Sequence, residues 1–178
     1  MGVGVNRVIG TPVWPAAAVA AAMFLTGACA GQVPLPERAA SMEASECRDA
    51  LPPEAEARAL ESMTLVGASS RIHQNACNGE CRVIGVHLVV RPPEGVTLAR
   101  FVQMLRCHSL RVLDGEVDAS RIPNDPYGLR DTWLEIDVGV ADGNFVVTLV
   151  GDHISDTLRI QERAKAYAAA HGVGWRWR

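Results

Sequence analysis

The sequence predicts an α+β fold with the element order ββαββα: a four-stranded, mainly antiparallel sheet with two helices on one face. Two pairs of segments with alternating apolar residues indicate strand hairpins. A segment with helical spacing and a single apolar side follows each pair. Strands and helices that are apolar on one side bury those sides against each other, which favours both helices on the same face of the sheet.

Residues 1–28 have the layout of an export signal, since Arg7 is their only charged residue and an apolar run follows it. The segment Leu25-Thr26-Gly27-Ala28-Cys29 resembles a bacterial lipobox, in which the cysteine receives lipid and becomes the mature N-terminus. Ala28-Cys29-Ala30 also fits an ordinary signal peptidase site. We expect lipidation at Cys29; cleavage at Ala30 is the alternative and would release a soluble secreted protein.

Residues 29–60 are expected to form a flexible or partly helical tether between the lipid and the domain. Four prolines and many Ala and Glu residues leave this segment little apolar surface to offset the entropy of ordering it. Residues 37–50 and 54–62 are its helical candidates.

The domain is expected to span residues 61–172 and to begin with a hairpin of residues 63–72 and 82–90. The second of these strands is the clearer one, because Val86, Leu88 and Val90 alternate with less apolar residues. After two prolines, Thr97 is a suitable cap for an amphipathic helix that ends at Gly115.

A second hairpin is predicted around the turn Asp142-Gly143-Asn144. In its first strand, one face carries Leu134, Ile136, Val138 and Val140, and the other carries Trp133, Glu135 and Asp137. The final helix covers residues 155–171. Residues 173–178 are a Trp/Arg tail, which we expect to be a frayed end packed on the domain, with contact to a membrane interface as the alternative.

The long connection between the central helix and the second hairpin is a candidate binding loop. It is rich in turn residues, and loops of this length often carry function. Asp125 and Tyr127 are its candidate binding residues.

Four cysteines besides Cys29 predict two disulfides, because an exported chain enters an oxidising compartment. Cys107 lies on the side of its helix that points away from the sheet. Of the three possible connectivities we favour Cys77 with Cys81, across the first hairpin, and Cys47 with Cys107, which would pin the tether to the helix.

A metal site is the alternative use of these side chains. His73, Cys77 and Cys81 are close in sequence, Cys107 and His108 could join them through folding, and such a set suits copper or zinc. The spacing matches neither a zinc knuckle nor a haem attachment motif. We therefore expect no cofactor.

The net charge of −3 and the scattered Lys and Arg residues argue against nucleic acid as a partner. No catalytic constellation is recognisable, so the sequence favours a protein that is not an enzyme. Glu135 and Asp137 are interpreted as solvated carboxylates on a strand.

The chain resembles uncharacterised predicted lipoproteins and secreted proteins of myxobacterium-like bacteria, over roughly residues 58–170. The resemblance rests on four segments: Arg91-Pro92-Pro93-Glu94-Gly95-Val96, Leu105-Arg106-Cys107-His108-Ser109, Asp125-Pro126-Tyr127, and residues 142–149. It implies no assigned activity, and it singles out Cys107-His108 and the Asp125 loop as features of the group.

Together these observations predict an envelope-anchored lipoprotein whose domain is a non-enzymatic binding or structural module. The alternative is a metal-binding or thiol-redox envelope protein. The expected partners are a membrane, through the lipid, and an unidentified envelope protein or small ligand. Ala30 after Cys29 resembles the sorting pattern of Gram-negative lipoproteins destined for the outer membrane, where the protein would face the periplasm or the surface.

Overall fold

The computed structural model describes residues 33–73 and 82–177, which belong to a single unit that begins at Val33. This part of the chain is a mixed α+β fold with four helices and a five-stranded sheet. The elements are α1 (Leu35–Glu46), α2 (Pro53–Glu61), β1 (Leu65–His73), β2 (Arg82–Val90), α3 (Leu98–Asp114), β3 (Leu134–Ala141), β4 (Asn144–Gly151), α4 (Ile154–Ala170) and β5 (Trp175–Trp177).

The strand order is β3-β4-β2-β1-β5. The pairs β1–β2 and β3–β4 are antiparallel, as the two predicted hairpins require. The hairpins are joined by antiparallel pairing of β2 with β4, and β5 is parallel to β1. The expected number of four strands is therefore wrong, because the Trp/Arg tail contributes a fifth. Trp175 pairs with Ala68 and its indole N–H donates to the Ser70 hydroxyl at 3.3 Å, so the tail is held by backbone pairing and by a side chain.

Local signals end the elements where the sequence indicates. The Thr97 hydroxyl accepts a hydrogen bond from the Arg100 N–H at the start of α3, and Gly115 ends this helix with φ 88°. Asp142 and Gly143 form the turn of the second hairpin with φ 50° and 73°. Both values are positive, as a two-residue hairpin turn of the right twist demands.

The main core lies between the sheet and the pair α3 and α4, which cover the same face. Its members come from alternate sheet positions and from the apolar sides of both helices; they include Val86, Leu88, Val147, Leu149, Phe101, Leu105, Ile160 and Ala164. The expected placement of both helices on one face follows from this single cluster.

Residues 33–61 are packed on α3, whereas the sequence suggested a tether. The two helices expected in this segment are present as α1 and α2, each starting beside a proline. Ala39, Ala57 and Leu60 are buried. A few small apolar contacts suffice to order the segment because covalent and ionic links to α3 reinforce them.

The covalent link is a disulfide between Cys47, just after α1, and Cys107 on the outer side of α3, with their Cα atoms 5.7 Å apart. This is the pairing favoured from helical geometry. Both cysteines are buried in a second, smaller apolar cluster with Ala39, Leu110 and Leu113. The favoured partner bridge, Cys77 with Cys81, and the lipidation candidate Cys29 lie outside the described residues.

The double substitution Cys47→Ala/Cys107→Ala should lower the free energy of unfolding by about 4 kcal/mol, since a bridge between residues 60 apart restricts the unfolded chain. Urea denaturation of the variant and of the oxidised parent measures the difference. The reduced parent is the control that separates loss of the bridge from loss of the two sulfur atoms. Equal stability of the oxidised and reduced parent would contradict the expectation.

Candidate functional site

A chain of buried charged side chains connects α2, α3 and the loop after α3. Its centre is His108, which is 2% exposed and lies between two carboxylates. The ring Nδ1 is 3.1 Å from Glu56 Oε1, and the ring Nε2 is 2.7 Å from Asp125 Oδ2. The Glu56 and Asp125 side chains are also buried, with 0% and 2% of their surface exposed. The ring therefore bridges two elements that are far apart in sequence.

Arg111, one turn further along α3, extends this network toward α1. Its Nη1 donates to Glu56 Oε2 at 2.8 Å and to the Leu51 carbonyl at 2.8 Å. Its Nε donates to Glu43 Oε1 at 3.2 Å. Glu56 thus binds a cation with each of its two oxygens, which is the arrangement that makes a fully buried carboxylate tolerable.

Local sequence explains why these groups meet. His108 and Arg111 are three residues apart and so lie on one side of α3. Pro53 starts α2 and puts Glu56 in the first turn of that helix. The other carboxyl oxygen of Asp125 accepts the Tyr127 N–H at 2.9 Å, which fixes the loop around the carboxylate.

The two carboxylates determine the protonation of His108. Burial disfavours the charged ring, but the hydrogen bonds to Asp125 and Glu56 outweigh it and raise the pKa of His108 to about 9. At neutral pH both ring nitrogens therefore donate a proton. An imidazolium with both N–H groups engaged offers no lone pair to a metal ion or to a substrate proton, so this arrangement serves to hold the fold together.

The two candidate binding residues of the loop are turned inward. Asp125 and Tyr127 are each 1% exposed. The Tyr127 ring packs edge-on against Tyr167, and burial raises the pKa of its phenol well above the usual range. The two side chains therefore do not face solvent, as the candidate binding residues of a surface loop were expected to do. They anchor the loop instead: Asp125 neutralises the charge of the His108 ring, and Tyr127 fills the core.

The residues of the alternative metal set do not converge in the described part of the chain. Cys107 is in the disulfide, His108 is held by two carboxylates, and His73 is at the end of β1. Within residues 33–73 and 82–177, no group of three or more His, Cys, Asp or Glu side chains has the geometry of a metal site. Cys77 and Cys81 lie outside these ranges.

A surface groove of about 200 Å³ lies between α1, α3 and the start of β3. Its lining combines apolar side chains with a charged rim: Met42, Leu110, Leu113 and Trp133, with Glu46, Arg106 and Glu135. Sequence reasoning missed this groove because it grouped Trp133 with the solvated face of the strand. The strand begins only at Leu134, and the Trp133 ring packs against the second cluster with the Arg38 guanidinium 4.2 Å from its centroid.

The sheet face opposite the helices carries a row of polar side chains across neighbouring strands. The row runs from Asp137 through Thr148 and His87 to Ser69. His87 Nδ1 is 3.2 Å from the Thr148 hydroxyl, and its pKa is lowered by partial burial and by Arg71. His87 is thus a neutral, half-buried histidine.

No protein-family model, no curated protein and no solved structure matches the chain. Among the described helices, none is both long enough and apolar enough to span a bilayer.

The free energy of unfolding should fall by about 3 kcal/mol between pH 6.5 and pH 9.5 because of His108. The folded-state pKa of about 9 lies above the ordinary value of 6.5, so the stabilisation is complete below pH 6.5 and is lost as the pH rises through 9. Urea denaturation across this range gives the slope. The variant His108→Gln/Asp125→Asn, which removes the titrating ring together with one of its carboxylates, should show a flatter profile. A parent protein whose stability stays constant over the range would refute the charged ring.

Proposed function

We propose that this chain is an exported lipoprotein of the cell envelope and that its folded unit is a binding module. The observation that carries the proposal is the buried Cys47–Cys107 disulfide, which fastens α1 to α3. Structural disulfides form and persist in oxidising compartments outside the cytosol. The bridge thus supports the export that residues 1–28 predict.

The same bridge supports a role in binding, because α1 is one wall of the groove beside β3. Met42 and Glu46 of α1 face Leu110 and Arg106 of α3 across it. A wall that is covalently attached loses little conformational entropy when a ligand enters, which favours affinity. The ionic contact of Glu43 with Arg111, one turn before Cys47, holds the same helix against α3.

Anchoring would occur at Cys29, shortly before the described unit begins at Val33. Lipid attached to this cysteine contributes about 0.8 kcal/mol of membrane affinity per buried methylene, so more than one acyl chain gives stable attachment. The domain itself then needs no membrane-spanning element. The outer membrane is the proposed destination because Ala30 follows the cysteine.

Cys29→Ala should move the protein from the membrane fraction to the soluble fraction and abolish incorporation of labelled palmitate. The reason is that no other cysteine stands in a lipobox-like context. Cys47→Ala/Cys107→Ala is the matched control, since it changes two cysteines and leaves the lipid site intact. Membrane association of the Cys29→Ala variant after an alkaline wash, or a parent protein that is soluble and starts after Ala30, would reject the lipid anchor.

A further inference from the structure

One long edge of the sheet is formed by β3, an eight-residue strand that pairs only with β4 among the described residues. Ala141 and Asn144 are partners that flank the two-residue turn, so they form a hydrogen-bonded pair. The alternation of an antiparallel ladder then directs the backbone groups of every second residue away from β4. These residues are Leu134, Ile136, Val138 and Val140.

The contact of Arg106 agrees with this alternation, because its Nη2 donates to the Ile136 carbonyl at 3.4 Å from the side opposite β4. The other sheet edge is different, since β5 has only three residues. The β3 edge is therefore the longer row of backbone donors and acceptors, and an added strand would replace the Arg106 contact at the Ile136 carbonyl.

The groove described above runs beside this edge on the helix side of the sheet. A strand added next to β3 would direct alternate side chains toward Met42, Leu110 and Trp133. Apolar side chains fit that environment. Backbone pairing combined with pockets for alternate side chains is the usual way in which proteins bind extended peptides.

The remaining side chains of an added strand would lie on the open face, next to Glu135 and Asp137. Both carboxylates are exposed, and neither forms an ion pair with any residue in the described ranges. Opposite charges on neighbouring strands attract, whereas like charges repel. Glu46 adds a third carboxylate at the rim of the groove. The charge of the open face therefore favours Lys or Arg at the partner positions beside Glu135 and Asp137, whereas the groove carries Arg106 as well as Glu46.

We propose that the β3 edge binds an extended segment of a partner protein in which apolar residues alternate with Lys or Arg. The apolar residues enter the groove, the basic residues pair with Glu135 and Asp137, and the backbone extends the sheet. This inference rests on the proposed binding role and specifies the class of partner. A second copy of the chain fits less well, because pairing of two β3 strands would bring Glu135 and Asp137 of both copies together.

The test uses the purified mature protein and a fluorescent, end-blocked peptide of alternating Val and Lys residues. Fluorescence anisotropy should show saturable binding, and an alternating Val and Glu peptide should bind at least about tenfold more weakly, as expected for reversing several cross-strand charge pairs. A Val and Lys peptide that is N-methylated at the backbone nitrogens facing β3 lacks the donors for sheet pairing and should also lose binding.

Two protein variants locate the contact. Glu135→Lys/Asp137→Lys should weaken binding of the Val and Lys peptide by about tenfold or more and strengthen that of the Val and Glu peptide. Glu61→Lys/Glu162→Lys makes the same change in net charge at exposed positions outside β3 and should leave both affinities unchanged. If both double variants weaken binding equally, the attraction is a general effect of charge and the proposal fails.

A further variant tests whether the peptide pairs with the backbone of β3. Val140 is 60% exposed and its N–H is one of those directed to the edge, so Val140→Pro removes a donor with little loss of core packing. We expect Val140→Pro to weaken peptide binding and Val140→Thr, which keeps the N–H, to retain it. Circular dichroism and the mass of the intact disulfide verify folding of each variant.

The outcome is independent of membrane attachment. Failure of the Val and Lys peptide to bind a protein that Cys29 anchors would overturn the strand-addition proposal and leave the lipoprotein proposal standing. A dimer of the parent protein that disappears with Val140→Pro would likewise overturn it in favour of self-association through β3.

Discussion

The charged ring of His108, held between Glu56 and Asp125, is the interaction on which the arrangement of the chain around α3 depends. Two carboxylates buried without a cation would cost far more free energy than the apolar contacts near them return. The proton on the imidazole removes that cost only when α2 and the loop after α3 are both in place. Charge neutralisation thus acts together with buried apolar side chains, such as Leu60 of α2 and Tyr127 of the loop, to set the positions of these two segments.

Arg111 connects this network to α1, since it binds both Glu56 and Glu43. The Cys47–Cys107 disulfide links α1 to α3 covalently. Residues 33–61 are therefore part of the folded unit although their composition is typical of a linker. One consequence concerns the groove beside β3, because α1 supplies one of its walls. In the proposed binding role this surface is preorganised, since α1 cannot move away from α3 without separating Glu43 from the buried Arg111 and straining the disulfide.

Local patterns were sufficient for most secondary structure. The alternation around Val86 and Leu88, the Asp142-Gly143 turn, and the Thr97 and Gly115 ends of α3 each rest on a few neighbouring residues, and the structure has them as expected. The Cys47–Cys107 pairing was favoured among three connectivities because Cys107 lies on the outer side of its helix, and the structure has this bridge. Strand β5 was missed because three residues are too few to show a period, and its stability comes from pairing with β1 and from the Trp175 contact with Ser70.

The sequence by itself determined the α+β class, the two hairpins, the side of α3 that carries Cys107, and the expectation of export, because each depends on residues that are neighbours in the chain. Only the tertiary structure decided that Asp125 and Tyr127 face inward, that His108 bridges two carboxylates, and that Trp133 lines a groove at the sheet edge. Those facts depend on which distant segments are brought together. The sequence alone does not show whether a carboxylate will be solvated or will lie beside a buried imidazolium, because that depends on the packing of distant segments.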